Sequence, residues 1–127
     1  MRRIFALLLA LLLGLTGCGG GEGESTYRQI TQEEAKEMMD TQDVVVLDVR
    51  EQDEFDAGHI PGAVLLPVGT ITEETAAAVI DSEETVVLVY CRSGNRSKTA
   101  SQALADLGYT EVYEFGGINT WPYGTVK

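Results

Sequence analysis

Residues 85–108 read TVVLVYCRSGNRSKTASQALADLG, and the order of signals within them decides the fold. Residues 85–90 are β-branched or apolar up to Tyr90, which predicts a strand buried on both faces. Residues 97–107 then carry Ala100, Ala103, Leu104 and Leu107 at helical spacing, and Gly108 supplies the stop. A polar turn with Gly94 and Asn95 joins the two, and Cys91 falls directly after the strand. Strand, short loop and helix in this order form the repeating unit of an α/β protein.

The flanking sequence repeats the pattern. Residues 44–49, VVVLDV, predict a second fully buried strand. Upstream, residues 27–30 make a weak first strand. Thr31 with Glu34 three positions on forms a capping box that opens a helix to about Asp40. A short helix over 51–57 stops at Gly58, and a short strand over 63–66 follows Pro61 and Gly62. Residues 72–80 are alanine-rich and helical, with Glu73 and Glu74 in the first turn, where the dipole favours them. A last strand over 110–115 leads to Gly116-Gly117 and a short tail. The expectation is an α/β fold with a five-stranded, mostly parallel sheet flanked by helices, its ligand site beyond the carboxyl ends of the strands.

The chain of 127 residues suffices for one domain. Twenty acidic residues against nine basic ones give a net charge of −11, which argues against a nucleic-acid partner. Arg2 and Arg3 precede an apolar run over 4–13 that is too short to span a membrane and has the form of an export signal. Leu15-Thr16-Gly17-Cys18 resembles the lipobox of bacterial lipoproteins, in which the chain is cut before the cysteine and the cysteine is acylated. That resemblance implies a signal peptide over 1–17, a flexible lipid-anchored tether over 18–26 and a folded domain over 27–127. The domain would be exported and held on a bacterial membrane, facing the periplasm or the outside. The mature chain would carry seven basic residues against twenty acidic ones.

With Cys18 acylated, Cys91 is left as a lone thiol in an exported protein, where no disulfide partner accounts for it. The nucleophile is the thiolate, and a free cysteine titrates near ~8.5, so charge at neutral pH requires positive potential. Three sources are expected: the N-terminus of a helix beginning at Ser97, inward N–H groups of a turn at Gly94 and Asn95, and the charges of Arg92 and Arg96.

The loop Cys91-Arg92-Ser93-Gly94-Asn95-Arg96-Ser97 resembles that of the rhodanese family. The match extends through Asp48-Val49-Arg50-Glu51, Gly58-His59-Ile60-Pro61-Gly62-Ala63 and Gly116-Gly117-Ile118-Asn119-Thr120-Trp121 in the family's order. The resemblance implies sulfur transfer through a persulfide on Cys91. Residues Arg92, Ser93, Gly94, Asn95, Arg96 and Ser97 would bind substrate, with a small sulfur donor such as thiosulfate and a thiol or cyanide as acceptor. A thiol-reductant protein is a further partner of this chemistry, and no cofactor is implied. Asp48, Arg50 and His59 are expected to be structural, and Trp121 a packing anchor. One histidine and one free cysteine do not make a metal ligand set.

Two other readings use the same loop. A cysteine phosphatase or arsenate reductase also combines a cysteine, a cradle of N–H groups and an arginine. Here four residues separate Cys91 from Arg96, where the phosphatase pattern has five, and the smaller ring suits a single sulfur. A non-catalytic persulfide carrier or a rhodanese-like binding module is the alternative of a different class. Turnover with a small donor and acceptor separates it from an enzyme.

Overall fold

Two near-continuous apolar segments form the middle of the sheet. In this computed structural model, which describes residues 26–127, they are β2 (Val45–Asp48) and β4 (Val87–Cys91). Around them lie β1 (Arg28–Gln29), β3 (Val64–Leu65) and β5 (Val112–Gly117). The sheet order is β1-β5-β4-β2-β3, and every pairing is parallel. The helices are α1 (Gln32–Thr41), α2 (Gln52–Ala57), α3 (Glu73–Val79) and α4 (Asn95–Asp106).

The strand period of two divides the core into two layers. Leu47, Val49, Val87, Val89 and Cys91 point to one face and pack with Ala76 of α3, with Ile80 at its end and with Ala100 and Leu104 of α4. Val46, Leu88 and Tyr90 point to the other face and pack with Ala35 of α1, Ile60, Phe115 and Trp121. Tyr90 and Cys91 are therefore chain neighbours that serve opposite layers. Both sheet faces are covered, as fully apolar parallel strands require.

The capping box of α1 is formed as its spacing predicts. Thr31 Oγ1 accepts from the Glu34 N–H at 3.0 Å, and Glu34 Oε1 accepts from the Thr31 N–H at 2.8 Å. Several boundaries differ from the sequence reading. Cys91 is the last residue of β4 rather than the first of the loop. Helix α4 begins at Asn95, not Ser97, because Gly94 adopts φ +111° and turns the chain straight into the first helical turn. The two edge strands, β1 and β3, hold only two residues each, since only one neighbour pairs with them. The export signal, Cys18 and all of the tether except Thr26 lie outside the described residues.

A break in register shapes the end of the sheet. Val89 faces Glu114 across β4 and β5, but Cys91 faces Gly117, so β5 carries an extra residue over this span. Gly116, at φ +93°, takes up the bulge.

Candidate active site

Strand β4 delivers Cys91 to the carboxyl edge of the sheet, and Gly94 curls the following chain around it. The thiol is almost wholly buried, at 1% exposure. The Gly94 N–H donates to Sγ at 3.0 Å, and Sγ lies 3.4 Å from Ser97 Oγ. Burial by itself pushes the thiol pKa up. The Ser97 hydroxyl and the backbone N–H groups of Ser97, Gly94 and Ser93 outweigh it and hold the thiol below its ordinary value. The activation expected from a turn and a helix start is present, with α4 starting two residues earlier than the sequence reading placed it.

The arginines are arranged differently from that expectation. Arg96 donates to both carboxylate oxygens of Glu54, at 2.8 and 3.0 Å. The pairing lowers the Glu54 pKa to about 2 and raises that of Arg96. Much of the Arg96 charge is thus neutralised by α2, although it still attracts a charged Cys91 sulfur. Arg92 is exposed, as are Ser93 and Asn95. Arg92 lies with Arg50, Glu54, Ile118 and Asn119 around a depression of about 220 Å³ beside the loop.

The loop is clamped from behind by the glycine pair. A side chain on Gly117 would overlap the Arg92 carbonyl and the Ser93 nitrogen, so only glycine fits there. The Asn119 N–H donates to the Arg92 carbonyl at 3.1 Å, and Gln32 Nε2 donates to the Gly117 carbonyl at 2.9 Å. The tail that reads as a simple glycine-rich end is thus the back wall of the loop.

Asp48, Arg50 and His59 sit in the frame. Arg50 and Asp48 form a buried ion pair at 2.7 Å, and Arg50 also donates to the Gly58 carbonyl at 2.7 Å. The Tyr90 hydroxyl donates to Asp48 Oδ2 at 2.6 Å and accepts from the Ile60 N–H at 3.0 Å. His59 stacks on Phe55 with 3.8 Å between ring centroids, and its Nδ1 lies 2.9 Å from the Phe55 carbonyl. Its backbone pairs with Val126. Trp121 packs on Phe115 and donates from Nε1 to the Gly124 carbonyl.

Glu114 is the site residue that the sequence reading missed. It projects from β5 at 2% exposure and accepts a hydrogen bond from Ser97 Oγ. Its carboxylate also accepts from the Gly116 N–H at 3.0 Å and from Gln29 Nε2 at 3.2 Å. The signal available was its parity with Val112: two residues on, it had to face the same helix.

Residues 31–122 match the family described as a rhodanese-like domain. The chain is 38% identical over 96 residues to the thiosulfate sulfurtransferase GlpE of Coxiella burnetii, covering 75% of this chain and 87% of that protein. It is 38% identical over 81 residues to the thiosulfate sulfurtransferase PspE of Escherichia coli, covering 64% of this chain and 77% of that protein. Among solved structures, a rhodanese-related protein from Thermoplasma volcanium superposes with a TM-score of 0.67 at 31% identity, over 79% of this chain and 98% of that one. A rhodanese with anions from E. coli superposes with a TM-score of 0.62 at 29% identity, over 67% of this chain and 99% of that one.

Proposed function

This chain belongs to the rhodanese-like domain family, and from that premise we propose that it is a sulfurtransferase working through a persulfide on Cys91. The observation that carries the reading is the cradled thiol. Cys91 Sγ lies at the end of β4 within hydrogen-bonding reach of Gly94 and Ser97, and its pKa is lowered in spite of burial. Such a sulfur ionises more readily than a free cysteine, and the thiolate is the nucleophile.

The Cys91 thiolate attacks the outer sulfur of a donor such as thiosulfate. The new S–S bond forms as the bond to the sulfonate sulfur breaks, sulfite leaves with the electron pair, and the terminal persulfide sulfur keeps the negative charge. A thiolate or cyanide then attacks that terminal sulfur and carries it away, restoring the Cys91 thiolate. The cycle is covalent and ping-pong. N–H groups of the loop stabilise the anionic sulfur in both halves, as an oxyanion hole does for oxygen. Arg92, exposed beside the loop, attracts the anionic donor. The relatives GlpE and PspE are named thiosulfate sulfurtransferases, which supports the donor class.

The test is intact-protein mass spectrometry after incubation with thiosulfate. A single sulfur adduct that maps to Cys91 is expected, and its absence from active, folded protein overturns the reading. The lipobox-like Leu15–Cys18 segment further supports membrane anchoring through Cys18, with the domain facing the periplasm or the outside. Cys18→Ser is expected to move the protein to the soluble or secreted fraction, or to block its processing. Unchanged membrane retention of a normally cleaved product would contradict the anchor.

A further inference from the structure

Arg28, Lys36, Arg50 and Arg96 are each held by a carboxylate. Arg92 and Lys98 make no salt bridge among the described residues, although the chain carries a net charge of −11. They stand on opposite sides of the cysteine loop. Arg92 borders the depression toward α2, on the β2 side of β4, and Lys98 borders a cleft toward β1 and the start of α1. An unpaired cation on an acidic domain draws anions to its own neighbourhood. Each flank of the loop has one, and a ping-pong cycle has two substrates that occupy the site in turn.

The Lys98 cleft is the roomier, about 340 Å³ against about 220 Å³, and reaches the size of small-molecule sites. Ser93 and Gly94 form its wall toward the sulfur, and the Gly94 N–H lies 3.0 Å from Cys91 Sγ. A ligand seated there therefore lies beside the nucleophile.

The remaining polar groups select among ligands. Gln29 gives its amide N–H to Glu114, and Gln32 gives its own to the Gly117 carbonyl and to Thr120 Oγ1. Among the described residues no donor reaches the side-chain oxygen of either glutamine, so both remain acceptors on the cleft wall. The Glu114 carboxylate also lines the cleft and repels a bare anion. Thiosulfate is an anion with acceptor atoms alone, so it suits the Arg92 side and not this one. A ligand that matches the cleft carries a carboxylate for Lys98 and an N–H for the glutamines.

We propose that this cleft is the acceptor subsite, that it takes a low-molecular-weight thiol bearing a carboxylate and an amide N–H, and that Lys98 sets the preference. The chemistry is that of a small cysteine-containing peptide. The proposal deepens the sulfurtransferase reading and rests on it. In the step, the acceptor attacks as a thiolate, its proton already lost to water. An S–S bond forms between the acceptor sulfur and the terminal persulfide sulfur. The bond from that sulfur to Cys91 Sγ breaks, and Cys91 leaves with the electron pair as a thiolate. The acceptor departs as a persulfide. Lys98 meets only the carboxylate of the acceptor, so it acts on which thiol is taken and not on the bond exchange.

The test separates the two halves of the cycle. Purified protein is loaded with sulfur from thiosulfate, freed of donor by gel filtration and mixed with N-acetylcysteine or its neutral analogue N-acetylcysteine amide. Loss of the Cys91 persulfide is followed by intact-protein mass spectrometry at sub-saturating acceptor. Lys98→Gln should slow removal by N-acetylcysteine about threefold, the scale of an exposed ion pair, and Lys98→Glu should slow it further. Removal by the neutral amide should change by less, and Lys98→Arg should restore the wild-type preference. Equal slowing of both acceptors by Lys98→Gln, or no change with either, overturns the proposal. So does a loss in the sulfite-releasing half as large as in the removal half, since Lys98 would then serve the donor. If thiosulfate leaves no sulfur on Cys91 but inorganic polysulfide does, the comparison is made on that persulfide. A Lys98-dependent preference there upholds the cleft while the thiosulfate reading fails.

Discussion

Glu54 and Arg96, 42 residues apart in the chain, meet in a two-pronged ion pair at 2.8 and 3.0 Å that ties α2 to the first turn of α4. The carboxylate pKa falls to about 2 in the folded state, from an ordinary value of 4.5. A depressed carboxylate pKa adds stability that is complete above the unfolded value and is lost as pH falls through the folded one. The pair is partly open to solvent, with side chains 34% and 23% exposed, which limits its worth to on the order of 1 kcal/mol. Glu54→Gln is therefore expected to lower stability by about that amount at neutral pH, with the difference closing toward pH 2. Urea unfolding at several pH values measures it.

The same substitution frees Arg96 toward the sulfur, whose charge it already attracts. Alkylation of Cys91 in Glu54→Gln should be faster than in wild type below pH ~8.5, the free-thiol value. An unchanged rate would show that Arg96 does not act on the sulfur even when released.

Ser97 offers the cradle its hydroxyl, a side-chain hydrogen bond that favours the charged sulfur. Wild-type Cys91 should react with iodoacetamide well below pH ~8.5, and Ser97→Ala should need higher pH for the same rate. Cys91→Ser should abolish sulfur transfer while circular dichroism shows a folded domain. Loss of fold in that variant would point to a packing role for the thiol.

Gly117 and Gly69 make a matched pair. Alanine at 117 places a methyl group inside the Arg92 peptide, whereas at Gly69 a Cβ meets nothing within 4 Å. Gly117→Ala should cost about 3 kcal/mol and displace the loop enough to abolish sulfur transfer. Gly69→Ala should stay within about 0.5 kcal/mol of wild type. Thermal unfolding and the thiosulfate adduct, measured together, check both.

The Tyr90 hydroxyl links Asp48 to Ile60 on the sheet face away from Cys91. Tyr90→Phe leaves the buried Ile60 N–H without its partner and removes one donor from Asp48 Oδ2, which Arg50 still holds, at a cost of about 1–3 kcal/mol. Cys91 reactivity should not change at temperatures where the variant is folded. A stability loss without a reactivity change would place the Asp48–Arg50–Tyr90 network in the frame alone.

Most of the architecture is local and was therefore legible in the sequence. The VVVLDV and TVVLVY runs announce the two central strands, and the Thr31–Glu34 spacing announces the start of α1 to the residue. Cys91 announces itself through its neighbours. The start of α4 was placed at Ser97 because the apolar helical spacing begins only at Ala100, whereas the cap is Gly94 and the Ser97 hydroxyl turns inward to sulfur and carboxylate. The Arg96–Glu54 pair was illegible because nothing in the local spacing of either helix tells which residues of the other it will meet. Glu114 lay between these cases. Its face follows from the strand period, but its depth depends on a bulge that only the pairing of β4 with β5 defines.

Tyr90 and Cys91, adjacent in β4, look to opposite layers, and each is indispensable to its own. A shift of β4 by one residue would exchange them, putting a phenol in the sulfur cradle and a thiol beside the Asp48–Arg50 ion pair. Swapping one aliphatic side chain for another over residues 87–89 disturbs one layer by a little. Deleting or inserting a single residue there inverts both layers together. In any lineage descended from this sequence, the stretch can drift in composition while its length stays frozen, and gaps in it will mark chains that have given up the cysteine chemistry.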